Sequence, residues 1–418
     1  SEERLRDGSH SDGEAVQQLF EGLVGTCVRA CLALDDPEWL FDELFERYEQ
    51  NGIEGIFLDR IEPFILAGAV HALPPSVSQR LIAIHAERRQ LDAAQRIIFS
   101  VDPQNLDLNQ VLGLCQREKL YDALIHVQTR ALHDHVAPLV ELVALVRRIQ
   151  QHRTQRPRRI GGENGDTHSD GSDDGGDGFE DHGGLWRSVT QADQDVEATV
   201  PEAYKVFAYL SRELGGQSYP LGDALPYEEA VRARDTIYGF LLSGTTRSWP
   251  EKGGRAVLTS DGDGAPEPPY PYLRLLLRFD AEATLDTLDL AFEDPYLDAD
   301  DDEEQDGGAP SARRLATRQR IVDLLLEVMS PSPSPSPPYD DDSRDDFSLV
   351  DRTFLHIFVA RNLPKYPQYL SLPVSTLRDI LVSLATDPDQ STVEDRQLAA
   401  EYLLSTCLLY TSPSPRDS

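Results

Sequence analysis

Apolar residues recur at three- and four-residue intervals along most of this chain, in runs broken by short polar stretches. No run alternates apolar with polar residues as a half-buried strand would. Leu40/Phe41, Leu44/Phe45 and Tyr48 follow Asp36-Pro37, an N-cap with proline at the first helical position, and Gly52 closes that helix. Phe57, Ile61, Phe64 and Ile65 continue the period, and Pro74-Pro75 punctuates it before Val77, Leu81, Ile84 and His85. Further stripes are Leu120, Leu124, Val127 and Ala131, then Leu139, Leu142, Val143, Val146 and Ile149. Such a chain buries its apolar stripes by packing helix on helix, as a compact bundle or as a solenoid. Its 418 residues exceed what one bundle core organises, and long inserts fall between helix pairs without ending the pattern. In a solenoid each pair touches only its neighbours, so loops are free to grow. The expected fold is therefore all-α: an α-solenoid of stacked antiparallel helix pairs, coat-like or clathrin-repeat in kind, with long acidic disordered inserts. No strict period is detectable, so a named short repeat such as tetratricopeptide is not read from the spacing.

Composition sets the expected boundaries. A polar disordered tail (1–13) precedes a solenoid segment (14–150), and an acidic disordered insert (151–188) leads to a helical segment (189–247). A Gly/Pro-rich loop (248–269) precedes a helix pair (270–293) split near Asp280. A second acidic insert (294–312), a helix (313–329), a Ser-Pro/Asp linker (330–347) and a last helical segment (348–405) follow.

The 73 acidic and 39 basic residues leave a net charge of −34. A surface so negative repels phosphate backbones and anionic headgroups, which excludes direct nucleic-acid binding and polybasic membrane attachment. Eight acids and no base lie in 163–181, and eight and none in 294–306; 261–267 and 340–346 add more. Those four stretches carry most of the excess, so the folded part is expected to be only mildly acidic.

Little points to chemistry. Cys27 and Cys31 share a helical face and read as small buried hydrophobes rather than a metal half-site; Cys115 and Cys407 are scattered. Cysteines this few suit a reducing compartment. No signal peptide opens the chain, and Arg29 and the short length disqualify residues 23–34 as a membrane span. His71, His85, His126, His133, His135 and His356 fall in helices or at their ends and read as structural. Within 170–181 oxygen ligands fall at positions one, three, five and twelve of a calcium loop, but Asp177 occupies the apolar position and no helix flanks it. A solvated acidic linker is expected there. Ser330, Ser332, Ser334 and Ser336 each precede proline and read as a spacer or as proline-directed phosphorylation sites. No catalytic, cofactor-binding or metal-ligating residue is assigned, and no enzyme is expected.

Four groups of segments carry a resemblance. They are GIFLDRIEPFI over 55–65 with LPP over 73–75, and VDPQNLDLNQV over 101–111 running into LCQREKLYDAL over 114–124. The others are YKVFAYL over 204–210 with YPLG over 219–222, and PYLRLLLRFD over 271–280 with AFED over 291–294 and RIVDLLL over 320–326. In this order they resemble the middle of the vacuolar protein sorting-associated protein eight family, subunits of the CORVET endosomal tethering complex. The resemblance implies a non-catalytic scaffold in endosomal vesicle tethering and transport to the vacuole or lysosome. It implies class C core tethering subunits as partners, and an early-endosomal Rab GTPase bound through a region outside this stretch. It implies a cytoplasmic protein, peripheral on early endosomal or vacuolar membranes through its partners. The family's N-terminal propeller and C-terminal RING zinc domain find no match, so their functions are not carried over.

Residues 406–418 resemble an in-frame translation of a sequencing-library adapter, which would make the chain a truncated fragment. Two other readings compete with the leading one: a subunit of the HOPS complex or another coat-like solenoid, and a metal-dependent enzyme using the acidic clusters.

Overall fold

The computed structural model describes residues 2–34, 36, 39–70, 73–161, 195–260, 267–298, 316–330 and 347–411. They form two compact units, Ser1–Asp134 and His135–Ser418.

In the first unit α1 (Glu2–Leu34) is followed by a π-helical turn, Leu40–Phe45, that passes directly into α2 (Glu46–Gln50). Then come α3 (Glu54–Leu66), α4 (Pro75–Glu87), α5 (Leu91–Ser100), α6 (Leu108–Glu118) and α7 (Tyr121–Arg130). Helix α4 pairs with α5 and α6 with α7, and contacts also join helices two apart: α1 with α3, α3 with α5, α4 with α6, α5 with α7. The main contacts of each helix are thus with near neighbours in the chain, which is the contact pattern of a solenoid. Local chemistry sets the ends. Asp36 Oδ1 accepts from Trp39 N at 3.3 Å, and Asp107 Oδ1 accepts from Asn109 N and Gln110 N at 3.0 and 3.2 Å. The core is mainly apolar, with Ser78, His85, His126, Gln128 and Thr129 buried in it; the Phe57 ring lies 5.2, 5.9 and 6.4 Å from the rings of Phe45, Tyr48 and Phe41.

Gly52 adopts φ +68° after α2, and an added Cβ there would meet no atom within 4 Å. The cost of a side chain is then backbone strain alone. Gly52→Ala is expected to destabilise the unit by about 1 kcal/mol. Gly22→Ala, in helix α1 and equally open, is expected to stabilise it by about 0.5–1 kcal/mol. Urea unfolding of the two variants checks the opposite signs.

The second unit holds α8 (Ala137–Gly161), α9 (Val200–Leu214), α10 (Tyr227–Leu241), α11 (Pro271–Phe279) and α12 (Ala281–Phe292). It continues with α13 (Arg318–Met329), α14 (Leu349–Lys365), α15 (Val374–Thr386) and α16 (Val393–Thr411). Helices α8, α9, α12, α14 and α16 form one row, with α10, α11, α13 and α15 packed beside it. As the sequence predicts, Asp280 splits a helix pair: it ends α11 and its Oδ1 accepts from Ala283 N at 2.9 Å to start α12. Ser348 and Asp351 form a capping box at the start of α14.

Four sequence expectations change. The first helix reaches back to Glu2 through the stretch read as a tail, where Glu3, Leu5 and Arg6 favour helix and no proline intervenes. Residues 248–269 contain an antiparallel hairpin, β1 (Ser248–Trp249) with β2 (Arg255–Ala256), each strand too short to show a two-residue period. The acidic insert does not begin at 294: Pro295–Asp298 is a 3-10 turn with Tyr296 and Leu297 buried. Helix α16 also runs on to Thr411. The candidate calcium loop 170–181 and the serines at 332, 334 and 336 lie outside the described residues. Among the described residues, no helix is long and apolar enough to cross a membrane.

Candidate functional site

Unit two ties its helix ends together with buried arginines. The last carbonyls of a helix have no intrahelical donor. Arg318, 2% exposed, opens α13 and donates from Nε and Nη2 to Phe292 O, the end of α12, at 2.9 and 2.6 Å. Its Nη2 also reaches Asp294 O at 3.1 Å, its Nη1 pairs with Asp298, and its guanidinium lies 4.3 and 5.2 Å from the Tyr366 and Tyr369 rings. Arg234 on α10 repeats the device: Nε donates to Leu214 O, the end of α9, at 2.9 Å, and Nη2 pairs with Asp294. Arg396 on α16 does so again, donating from Nη1 to Leu384 O in the last turn of α15 at 2.9 Å. Asp294 and Asp298, counted with an acidic insert in the sequence, are thus counter-ions of buried arginines.

A second joint is the pair His135–Glu213, with both side chains essentially inaccessible and Nδ1 to Oε2 at 3.0 Å. Tyr209 Oη donates to His135 O at 2.7 Å, and Tyr219 N donates to Glu213 Oε1 at 3.3 Å. The segment between α9 and α10 is thereby held; Gln217 bridges to Ala224 across a turn, with Gly222 at φ +81°. These groups can orient and neutralise one another; no nucleophile stands beside a base in them.

Helices α12, α14 and α16 also enclose a shallow acidic groove, with Glu282, Asp286 and Asp289 facing Phe354, Arg361 and Asp395. Partial burial against the groove wall, then repulsion from Asp289, raises the Asp286 carboxyl above its ordinary range, with Arg361 opposing; partial burial, then Asp286, raises Glu282. An acid raised in the fold binds protons that the unfolded chain has already released, so its penalty appears as pH rises from the ordinary carboxylate pKa through the raised one. Asp286→Asn is therefore expected to stabilise the protein at pH 7 by about 0.5 kcal/mol, since Asp286 is exposed and screened. The gain should shrink towards pH 4, which thermal melts across that range would follow.

The sequence-flagged histidines and cysteines have mostly structural surroundings. His85 is buried, with Nδ1 3.1 Å from Gln90 Oε1 and Nε2 3.1 Å from Glu62 Oε2. His126 packs edge-on against Phe99 at 5.2 Å, and His356 Nδ1 lies 2.8 Å from Ser383 Oγ. His133 adopts φ +52° in the turn before α8, and His71 lies outside the described residues. Cys31 and Cys115 are buried, and burial pushes the Cys115 thiol up to about 12. Among the described residues, no group of three His, Cys, Asp or Glu side chains is placed to hold a metal. Residue spacing does not reveal the arginine joints; the one signal is an arginine set inside an apolar stripe, as Arg234 is between Ala230, Ala233 and Ile237.

A family model described as Vps8 central TPR matches residues 56–292. The chain is 26% identical to the vacuolar protein sorting-associated protein 8 homolog of Homo sapiens, over 92% of this chain and 21% of that protein. It is 22% identical to vacuolar protein sorting-associated protein 8 of Saccharomyces cerevisiae, over 94% of this chain and 27% of that protein. The Drosophila melanogaster homolog matches at 26%, over 74% of this chain and 19% of that protein. The chain thus spans only a minor part of the length of the relatives it matches. The match is to a tetratricopeptide-type family, which corrects the reading from spacing: helices of unequal length and long inserts erase a fixed period.

Proposed function

Since the chain belongs to the Vps8 central TPR family, we propose that it is the central solenoid of a CORVET-type tethering subunit, a non-catalytic scaffold that holds distant binding ends apart. The observation that carries this reading is the repeated arginine joint. A spacer transmits position only if successive helices keep their relative setting, and Arg234, Arg318 and Arg396 fix helix ends with charge-assisted bonds. The relatives named for vacuolar protein sorting support a place in endosomal and vacuolar transport. Partners on this reading are the class C core tethering subunits, with an early-endosomal Rab GTPase engaged through parts of the longer relatives that this chain does not span. Peripheral attachment to endosomal or vacuolar membranes follows through those partners.

Co-purification of the full-length protein from its own cells tests the assignment. Class C core subunits together with CORVET-specific subunits are the expected result. Recovery of HOPS-specific subunits in their place would overturn the choice in favour of the HOPS reading.

A further inference from the structure

Two of the buried arginines that tie helix ends in the second unit have a carboxylate partner, and the third does not. Arg234 pairs with Asp294 and Arg318 with Asp298. Arg396, 6% exposed, meets neutral acceptors instead. Its Nε donates to Thr392 Oγ1 at 3.0 Å, its Nη1 to Leu384 O at 2.9 Å and its Nη2 to Asp389 O at 2.5 Å. Those bonds leave donors of the fork unused, and among the described residues Arg396 forms no ion pair. The acid that its charge reaches, Asp389, is committed elsewhere: its carboxylate accepts from Ser391 N at 3.0 Å and from Ser391 Oγ at 2.8 Å. Those bonds, the backbone one first, hold the Asp389 carboxyl below its usual range, and Arg396 adds a smaller pull. A buried guanidinium held by neutral groups alone is poorly compensated.

Ser391 lies between those contacts. Arg396 touches residues 389 and 392, on either side of it, and Ser391 is exposed in the turn before α16. The chain is described without a gap from 347 to 411. Asp387 and Asp389 precede Ser391, and Glu394 and Asp395 follow at the third and fourth positions. A kinase with basic subsites reads carboxylates placed in this way around its acceptor. Thr392 has acids at similar spacing but is 5% exposed, with its oxygen held by Arg396 Nε. Ser391 is thus the hydroxyl within a kinase's reach. For a phosphate there, the Arg396 fork and the first N–H groups of α16 are favourable, while Asp389, Glu394 and Asp395 are not. The guanidinium is buried, whereas Glu394 and Asp395 are exposed and screened, and Asp395 already pairs with Arg361. Once esterified, Ser391 Oγ no longer donates to Asp389, whose carboxylate is released to water.

We infer that Ser391 is the phosphate acceptor of an acid-directed serine kinase, and that its phosphate supplies the counter-ion that Arg396 lacks. Ser391 Oγ attacks the γ-phosphorus of ATP, and the bond from that phosphorus to the β–γ bridging oxygen breaks. ADP leaves, and the hydroxyl proton passes to the kinase's base. The modification tightens the α15–α16 joint, and it does not depend on the scaffold reading.

Treatment of the whole chain with casein kinase two and magnesium ATP tests both halves. Mass spectrometry is expected to place phosphate on Ser391, and Ser391→Ala to lose that phosphopeptide. Phosphorus NMR then follows the second ionisation of the phosphate, ordinarily near about pH 6; the signal is assigned by its absence in Ser391→Ala. The midpoint in the folded chain is expected at least about half a unit below that of a synthetic phosphopeptide spanning 387–395, because a guanidinium favours the dianion. In Arg396→Gln the midpoint should be no lower than in the peptide. Should that variant lose its helical circular dichroism, hydrogen exchange in the parent decides: amides 393–396 are expected to slow at least about threefold on phosphorylation. Ser391 left unmodified in the whole chain would overturn the proposal, whether or not the unphosphorylated peptide is a substrate. So would an unchanged or raised midpoint in the parent, or unaltered exchange, by showing the phosphate held away from Arg396.

Discussion

Arg318→Ala is expected to destabilise the second unit by about 3–5 kcal/mol. The guanidinium supplies donors to Phe292 O and Asp294 O, both in the joint between α12 and α13, and it is 2% exposed. Removing it leaves Phe292 O without these donors in a place water reaches poorly, at about 1–3 kcal/mol, while Asp294 O keeps only the long bond from Leu297 N at 3.3 Å. Asp298, whose side chain is 37% exposed, loses its counter-ion but recovers part of the loss by hydration. The faces of Tyr366 and Tyr369 lose the cation stacked against them. Arg318→Lys keeps the charge but not the fork, so it is expected to retain less than half of the stabilisation. Hydrogen exchange should place the loss in the last turn of α12 and the first of α13. Arg234→Ala should be less than additive with Arg318→Ala, because both arginines contact Asp294.

The second large effect is at the His135–Glu213 pair. Glu213→Ala is expected to cost about 3–5 kcal/mol, since it strands a buried imidazole and the backbone N–H of Tyr219 together. Replacing both partners by apolar residues, His135→Phe with Glu213→Leu, should recover most of that loss. An exchanged buried pair is often close to neutral. The remainder, about 1–3 kcal/mol, is the Tyr219 N–H left without its acceptor. A double-mutant cycle by urea unfolding reads the coupling directly. Near-additive single and double losses would show that the two side chains act independently.

Much of this fold is legible in the sequence because local rules decide it. Asp280 splits α11 from α12 and Gly52 follows the end of α2, each through the chemistry of one or two residues. Apolar stripes such as Leu139, Leu142, Val143 and Val146 are buried as their spacing predicts. The joints are a different matter. Arg318 finds its carbonyl 26 positions away, Arg234 its carboxylate 60 away, and His135 its glutamate 78 away. Apart from the apolar stripe around Arg234, nothing in the neighbourhood of those residues separates them from surface groups of the same type. The same blindness put Asp294 and Asp298 in an acidic insert: a run of acids reads as solvated until a buried cation is placed against part of it.

On the proposed reading, this stretch works as a positioned spacer between subunits bound at its two ends. Vesicle tethering by the full-length protein, with this solenoid intact or exchanged for a flexible Gly/Ser segment of equal residue number, tests it most directly. The expected result is that subunits bound at the two ends remain attached while tethering falls sharply. Tethering that survives the exchange undiminished would contradict the claim.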